Sequence, residues 1–133
     1  MNKVAIVTGG AKGIGFGSAQ RLLEDGATVV IFDVDVKAIA SAVEQFASYG
    51  DRFSGIKVDI SSDAEVKKAV TDVGNKHVHI NYLVNSAGIQ TYGIAEDTSE
   101  ELWDRTFGVN VKAMYLTPKY AVPFMRKVGG GSI

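Results

Sequence analysis

A tyrosine and a lysine with catalytic potential lie near the end of the chain. Tyr115 and Lys119 are four residues apart in the segment YLTPK. On a helix this spacing places both side chains on one face, where the ammonium would lower the pKa of the phenol. A tyrosine with a lowered pKa can donate or accept a proton near neutral pH. The pair could therefore serve an oxidoreductase, provided that the helix carrying it faces a substrate site.

A glycine-rich segment near the N-terminus has the composition of a phosphate-binding turn. It reads TGGAKGIG over residues 8–15 and lies between an apolar strand and a helix. Glycines allow a sharp turn and let a pyrophosphate approach the main chain. The N-terminus of the following helix would offer free N–H groups and a partial positive charge. The segment predicts a dinucleotide site, with a purely conformational turn as the alternative.

The acidic residue after the second strand supports the dinucleotide interpretation. Asp33 follows Gly15 by eighteen residues, where a carboxylate can accept both ribose hydroxyls of an adenosine. The same charge would repel a 2′-phosphate, which favours NAD over NADP. Lys12 could instead bind a 2′-phosphate, offset the pyrophosphate, or be solvated. Because Asp33 lies where the ribose is expected, we predict NAD, with NADP less favoured.

The elements that must position these residues alternate along the chain between short apolar runs and helical periodicity. Predicted strands cover residues 4–7, 28–32, 53–58 and 80–84. Capping boxes at 62–65 and 98–101 open two of the helices, and the second of these helices extends to about Lys127. Such alternation is typical of parallel strands covered on both faces. The predicted fold class is α/β, a Rossmann-like doubly wound parallel sheet.

The composition is that of one compact domain. The chain has 133 residues, 46% of them hydrophobic, with a net charge of -1 and no cysteine. Neither nucleic acid nor a membrane is therefore expected as a partner, and thiolate chemistry is excluded. No apolar run could span a membrane, and the first strand leaves no room for a signal peptide, so a cytoplasmic protein is expected. His77 and His79 lack an identifiable third ligand, so we predict no metal site.

Two motifs together resemble those of the short-chain dehydrogenase/reductase family. Residues 8–15 are similar to its cofactor loop, and LVNSAG over residues 83–88 is similar to its Asn-Asn-Ala-Gly motif, with Ser86 in place of the second asparagine. Their spacing agrees with the family, and the resemblance covers the whole chain. It implies an NAD(P)-dependent oxidoreductase that transfers a hydride between a nicotinamide and an alcohol or carbonyl substrate.

The same resemblance implies roles for single residues. Those expected to hold the pyrophosphate and the adjoining ribose are Gly9, Gly13, Ile14 and Gly15, with Lys12 as a further candidate contact. Asp33 would bind the adenosine ribose, and Asp59 with the main chain of Ile60 would contact the adenine. Those expected to back the cofactor and brace the sheet are Asn85, Ala87 and Gly88. Asn110 would hold a water of the proton relay.

Two of these assignments have structural alternatives. Asp59 could merely cap the end of a strand. Asn110 could satisfy main-chain groups at a bend of its helix.

The Tyr115–Lys119 pair does not match the position of the family's catalytic pair. In the family, Tyr-x-x-x-Lys lies on the helix after strand five, and a serine precedes it; here strand five only begins at Ser132. On an unkinked helix, Tyr115 would project about 140° away from Asn110. We therefore interpret YLTPK as structural, and expect residues 1–133 to be a single, incomplete dinucleotide-binding domain that lacks the catalytic half.

The outer face of that helix is apolar enough to suggest a partner. Its predicted members are Val111, Met114, Tyr115, Pro118, Val122 and Met125. A helix that is apolar on both faces is buried on both, and in the family this helix packs against a second subunit. We expect a homo-oligomer through the helix containing Tyr115 and Val122, with coverage by more of the same chain as the alternative.

Two other functions use similar elements. A methyltransferase also has a glycine-rich first turn, but it gives the segment 85–88 no role. The other is a non-catalytic dinucleotide-binding or assembly protein on the same fold, which binding of NAD without turnover would favour.

Overall fold

The computed structural model describes residues 2–133, which form a parallel sheet with helices on both faces. The strands are β1 (Val4–Thr8), β2 (Thr28–Asp33), β3 (Phe53–Lys57) and β4 (Tyr82–Asn85). Their order in the sheet is β3-β2-β1-β4, and all pairs are parallel. The order reverses between β1 and β4, which is the topological switch point of a doubly wound sheet. The predicted fold class is confirmed.

In the described part of the chain, five α-helices connect or follow the strands. They are α1 (Gly13–Glu24), α2 (Val36–Gln45), α3 (Asp63–His77), α4 (Glu100–Phe107) and α5 (Ala113–Arg126). A π-helical turn, Gly108–Lys112, joins α4 to α5, and short 3₁₀ turns cover Ala47–Arg52 and Ala95–Asp97. Within residues 2–133, no helix is long and apolar enough to cross a membrane.

Side chains alternate along the strands between two hydrophobic layers. Ile6 and Phe32 pack with α3 and α5 on one face of the sheet, whereas Val7 and Ile31 pack with α1 and α2 on the other. Since successive residues of a strand point to opposite faces, one continuous apolar run serves both layers. This explains why the strands show no alternating pattern in the sequence.

The strand register brings three loops to the same edge of the sheet. Thr8, the last residue of β1, lies opposite both Phe32 of β2 and Asn85 of β4. The segments that begin at Gly9, Asp33 and Ser86 therefore leave the sheet side by side. In parallel sheets this carboxyl edge is where ligands bind.

Several element boundaries differ from the predictions for physical reasons. The ladder of β4 begins at Tyr82 rather than Ile80, because the Asn81 side chain replaces a main-chain acceptor: its Oδ1 accepts the Val4 N–H at 2.9 Å. The second predicted capping box is wrong, since Ser99 rather than Thr98 caps α4 by accepting the Leu102 N–H at 3.1 Å. At Ser62 the predicted cap is present, and its hydroxyl accepts the Glu65 N–H at 3.3 Å.

The end of the chain adds a first residue of a further parallel strand. Ser132 forms an isolated parallel bridge with Tyr82. The Leu83 N–H donates to the Ser132 carbonyl at 3.0 Å, and the Ser132 N–H donates to the Asn81 carbonyl at 2.9 Å. The predicted beginning of strand five at Ser132 agrees with this pairing at the free edge of β4.

Two residues of the predicted outer face of α5 pack in or against the core. Met125 is buried in the layer that contains Leu116 and Ala121, and Val122 is half-buried and packs against that layer. The π-helical turn, Gly108–Lys112, adds a residue to the local repeat, so a regular helical wheel does not hold across it. Val111, Met114 and Tyr115 remain on the exposed side, as predicted.

Two glycines of the β1–α1 region offer a matched test of packing at this edge. A side chain at Gly10 would lie 2.6 Å from Ile31 Cβ, whereas one at Gly17, inside α1, would meet open space. We expect Gly10→Ala to lower the free energy of unfolding by about 1–3 kcal/mol through overpacking. Gly17→Ala should raise it by about 0.5–1 kcal/mol through helix propensity. Urea denaturation measures both, and equal effects would contradict the packing described here.

Candidate functional site

A cavity of about 680 Å³ opens at the carboxyl edge of the sheet. This volume is within the range of cofactor sites. Nine of the twelve predicted site residues line it: Gly9, Lys12, Gly13, Ile14, Asp33, Asp59, Ile60, Ala87 and Gly88. Gly15, Asn85 and Asn110 lie behind this lining. The segments singled out in the sequence thus meet around one space.

The glycine-rich turn shapes one wall of the cavity. Gly9 has φ +61°, and a Cβ there would approach Ala87 Cα to 2.7 Å. Gly13, the first residue of α1, has φ +54° and open space where a Cβ would be. At Gly15 a Cβ would overlap the Gly9 carbonyl, so that glycine lets α1 pack on the turn. The cavity therefore reaches main-chain atoms at the helix N-terminus, as a bound diphosphate requires.

Thr8 joins this turn to the segment after β4. Its side chain is buried, and its Oγ1 accepts the N–H groups of Ser86 and Ala87, both at 3.2 Å. These bonds use main-chain donors, so the serine at position 86 does not alter them. Thr8 belongs to the glycine-rich motif but is not among the predicted site residues. Its hydrogen-bond partners are far away in the sequence, so no local pattern indicates this role.

Asp33 holds the turn from the neighbouring strand. Its Oδ2 accepts the Ala11 N–H at 3.3 Å, and its Oδ1 accepts the Asp35 N–H at 3.1 Å. An ionised carboxylate has about four acceptor positions, so each oxygen retains capacity for a ribose hydroxyl. The side chain is half-buried at the cavity wall, which suits it for that contact.

Lys12 is paired rather than free. Its Nζ donates to Asp35 Oδ2 at 2.6 Å, while Asp35 Oδ1 accepts the Ala38 N–H at 3.0 Å and caps α2. The hydrogen bond between them raises the pKa of Lys12 and lowers the pKa of Asp35. From the sequence, Lys12 was expected to bind a 2′-phosphate, offset the pyrophosphate or be solvated. The ion pair with Asp35 was not among these alternatives.

Asp59 and Ser61, which follow β3, also line the cavity. Asp59 Oδ1 accepts the N–H of Ser61 at 2.9 Å and its hydroxyl at 2.6 Å. The Asp59 N–H is held by Glu65, whose Oε2 accepts it at 2.8 Å. The Glu65 side chain therefore does not bond to Ser62 as the predicted capping box would require, and it orders the loop after β3 instead. Asp59 turns the chain after the strand, as the structural alternative held, and it also lines the cavity.

Arg105 of α4 is a cavity residue that sequence reasoning missed. It lines the wall together with Ile60 and Val109. No local pattern marks it, since its position depends on how α4 crosses the sheet edge.

Polar side chains from the π-helical turn and α5 brace the end of β4 and the segment after it. Asn110 Nδ2 donates to the Ile89 carbonyl, and its Oδ1 accepts the Ile89 N–H, both at 2.8 Å. The Thr117 hydroxyl, fully buried, donates to Asn85 Oδ1 at 2.7 Å. The Asn110 amide thus satisfies main-chain groups, as its structural alternative expected, and its place in a proton relay stays a prediction. Thr117 was not predicted.

The Tyr115–Lys119 pair lies away from the cavity. Tyr115 is exposed, and Lys119 Nζ lies 5.5 Å from its ring centroid. Lys119 also contacts Asp63 Oδ1 at 3.2 Å, and hydrogen bonds with Tyr120 and Asp63 raise the pKa of Lys119. Neither Tyr115 nor Lys119 is part of the cavity lining, in agreement with the structural interpretation of YLTPK.

His77 and His79 have different surroundings. His79 is buried with Nε2 2.9 Å from the Asn2 carbonyl, and burial lowers the pKa of His77. No group of three or more His, Cys, Asp or Glu side chains suited to a metal ion occurs within residues 2–133.

The bonds from Thr8 predict a specific difference between two substitutions. Thr8→Val leaves the Ser86 and Ala87 N–H groups without their acceptor, and we expect it to lower the free energy of unfolding by about 1–3 kcal/mol. Thr8→Ser keeps the hydroxyl and loses one methyl group, which should cost about 1 kcal/mol or less. Chemical denaturation compares the two. Equal losses would show that the methyl group, and not the hydroxyl, stabilises this edge.

Comparison with known proteins identifies the fold and the motifs. The family model for short chain dehydrogenase matches residues 3–133. An uncharacterized oxidoreductase of Thermotoga maritima is 44% identical over 98% of this chain and 51% of its own length. An NAD-dependent glycerol dehydrogenase of Listeria innocua is 37% identical over 99% of this chain and 51% of its length. The chain thus spans about half the length of the curated relatives it matches.

A solved structure agrees with the same assignment. A variant of actinorhodin polyketide ketoreductase with NADPH superimposes with a TM-score of 0.90 and 26% identity, over 98% of this chain and 51% of that one. The strand order, the motif at the switch point and the family match all agree. The chain belongs to the short-chain dehydrogenase/reductase family.

Proposed function

We propose that this chain is the dinucleotide-binding part of an NAD(P)-dependent oxidoreductase that acts on an alcohol or carbonyl substrate. The observation that carries the proposal is the cavity at the switch point, which the glycine-rich turn and Asp33 line together. Relatives named as oxidoreductases or dehydrogenases support it.

The residues at the cavity fit a dinucleotide. Gly13 and Ile14 begin α1, where free N–H groups and the helix dipole favour a diphosphate. Asp33 would accept the ribose hydroxyls, and Asp59 with the Ile60 main chain would contact the adenine. Ala87, whose N–H is held by Thr8, and Gly88, which lies near Asn110, would back the nicotinamide half. A bound nicotinamide would supply the hydride acceptor or donor.

NAD is the proposed cofactor, and NADP is the less favoured one. Asp33 places a negative charge where a 2′-phosphate would lie, and Asp35 adds a second carboxylate two residues on. The relative from Listeria innocua is described as NAD-dependent, whereas the ketoreductase structure is described with NADPH. The carboxylates of Asp33 and Asp35 in this chain support NAD.

The acid/base chemistry would come from residues other than these. No tyrosine lines the described cavity, and the Tyr115–Lys119 pair lies elsewhere. Because the chain spans about half the length of its relatives, the family's serine, tyrosine and lysine are proposed to lie outside these 133 residues. Asn110 would contribute by holding the Ile89 segment against the cavity. If such residues are lacking in the intact protein, the alternative of a non-catalytic dinucleotide-binding or assembly protein applies.

A single carboxylate tests the proposed cofactor site. We expect Asp33→Asn to weaken NAD binding about tenfold, because charge-assisted hydrogen bonds to the ribose are lost. Asp51→Asn removes the same charge from an exposed position away from the cavity and should leave the affinity unchanged. Isothermal titration calorimetry of NAD with both variants and the unaltered chain provides the measurement. If NAD does not bind the unaltered chain, or binds both variants equally, the proposed site is wrong.

We also propose a cytoplasmic homo-oligomer that pairs through α5 and its flanking residues. Val111, Met114 and Tyr115 are 55%, 54% and 61% exposed, and on α4 the stacked rings of Trp103 and Phe107 are exposed as well. Contiguous exposed apolar surface of this kind marks an interaction site. A second copy is the proposed occupant because a twofold pairing buries the same patch on both copies.

The proposed interface has a matched pair of substitutions. Met114→Arg places a charge within the apolar patch and should shift sedimentation towards the monomer at micromolar concentration. Val43→Arg makes the same kind of change on α2, away from the patch, and should leave the assembly unaltered. Sedimentation velocity distinguishes them, and an unaltered chain that is monomeric throughout would refute this interface.

A further inference from the structure

We propose that Asp35 determines cofactor selectivity by binding Lys12, so that the ammonium of the glycine-rich turn is not available to a 2′-phosphate. This inference rests on the proposed function and adds a residue to it. The sequence presents Lys12 and Asp33 as opposing signals for NADP and NAD. The geometry points to a third residue that decides between them.

The Lys12 side chain lies at the part of the cavity that Asp33 lines, where the ribose is proposed to bind. Its main chain is extended at the N-cap of α1, and its side chain makes no capping hydrogen bond there. Instead it reaches Asp35 at the start of α2, and it lines the cavity together with Asp33 and Val34. The side chain is 69% exposed, so a ligand could contact the ammonium if Asp35 did not hold it.

The pair is aligned by the same hydrogen bonds that hold the turn. Asp33 accepts the Ala11 N–H with one oxygen and the Asp35 N–H with the other. These bonds place the residue before Lys12 and the main chain of Asp35 on the two sides of one carboxylate. The hydrogen bonds of Asp33 therefore bring the main chains of Lys12 and Asp35 close enough for their side chains to form the ion pair.

The charge count at this end of the cavity disfavours a 2′-phosphate. Two carboxylates and one ammonium leave a net charge of −1, and the ammonium is already engaged. A phosphate monoester would have to displace Asp35 from Lys12 while facing both carboxylates. Without the Asp35 charge, the net charge becomes zero and the ammonium is free to bind the phosphate.

The test can remove this charge and keep the helix cap. Asp35→Asn retains a side-chain oxygen for the Ala38 N–H, and asparagine is as good an N-cap as aspartate. Lys12→Met keeps most of the aliphatic stem and removes the ammonium. Asp35→Ser, another good N-cap without charge, serves if the asparagine variant proves unstable by thermal unfolding.

The experiment is a double-mutant cycle read by calorimetry with NAD and with NADP. With Lys12 present, we expect Asp35→Asn to lower the Kd for NADP about tenfold and to change the Kd for NAD by less than about twofold. In the Lys12→Met background, the same substitution should lower the Kd for NADP only about twofold, since only direct repulsion is relieved.

The outcomes separate this inference from the function on which it rests. An equal effect of Asp35→Asn in both backgrounds, with NAD still bound, overturns the role of Asp35 through Lys12 and leaves the cofactor site in place. If the unaltered chain binds neither NAD nor NADP, the proposed function fails and this inference fails with it.

Discussion

At the carboxyl edge of the sheet, side-chain oxygens of the strand ends accept the N–H groups of loops that cannot pair within the ladder. Thr8 serves the segment after β4, and Asp33 serves the turn after β1 and its own following residues. A buried N–H without a partner is costly, so these bonds determine where each loop lies. The close approach of the two segments also requires a glycine at position 9, since a Cβ there would lie 2.7 Å from Ala87 Cα.

A second set of bonds supports this edge from the helical layer. Asn110 and Thr117 reach from the π-helical turn and α5 to the segment after β4. A π-helical turn adds one residue to the local repeat, and in this chain that turn contains Asn110. The irregular turn therefore helps to support the site, and exposed apolar side chains lie before, within and after it.

Electrostatics then distinguishes one end of the cavity from the other. The end at the N-terminus of α1 offers main-chain N–H groups and a helix dipole, whereas the end near α2 holds Asp33, Asp35 and the engaged Lys12. The proposed dinucleotide would present anionic charge to the first end and the hydrogen-bond donors of its ribose to the second. In the proposed selectivity, what matters is which partner holds the Lys12 ammonium, and not the presence of the ammonium alone.

The sequence by itself determined the features that depend on local order: the apolar strands, the glycine-rich turn with its following helix, and the position of Asp33 at a strand end. These follow from patterns within a few residues, and the family resemblance of residues 8–15 and 83–88 agreed with the family match. Tertiary structure decided the rest. The Lys12–Asp35 pair, the use of the Asn110 amide at Ile89, the place of Arg105 and the burial of Met125 all depend on how distant segments cross. Such contacts are set by strand register and helix packing, which no local pattern encodes.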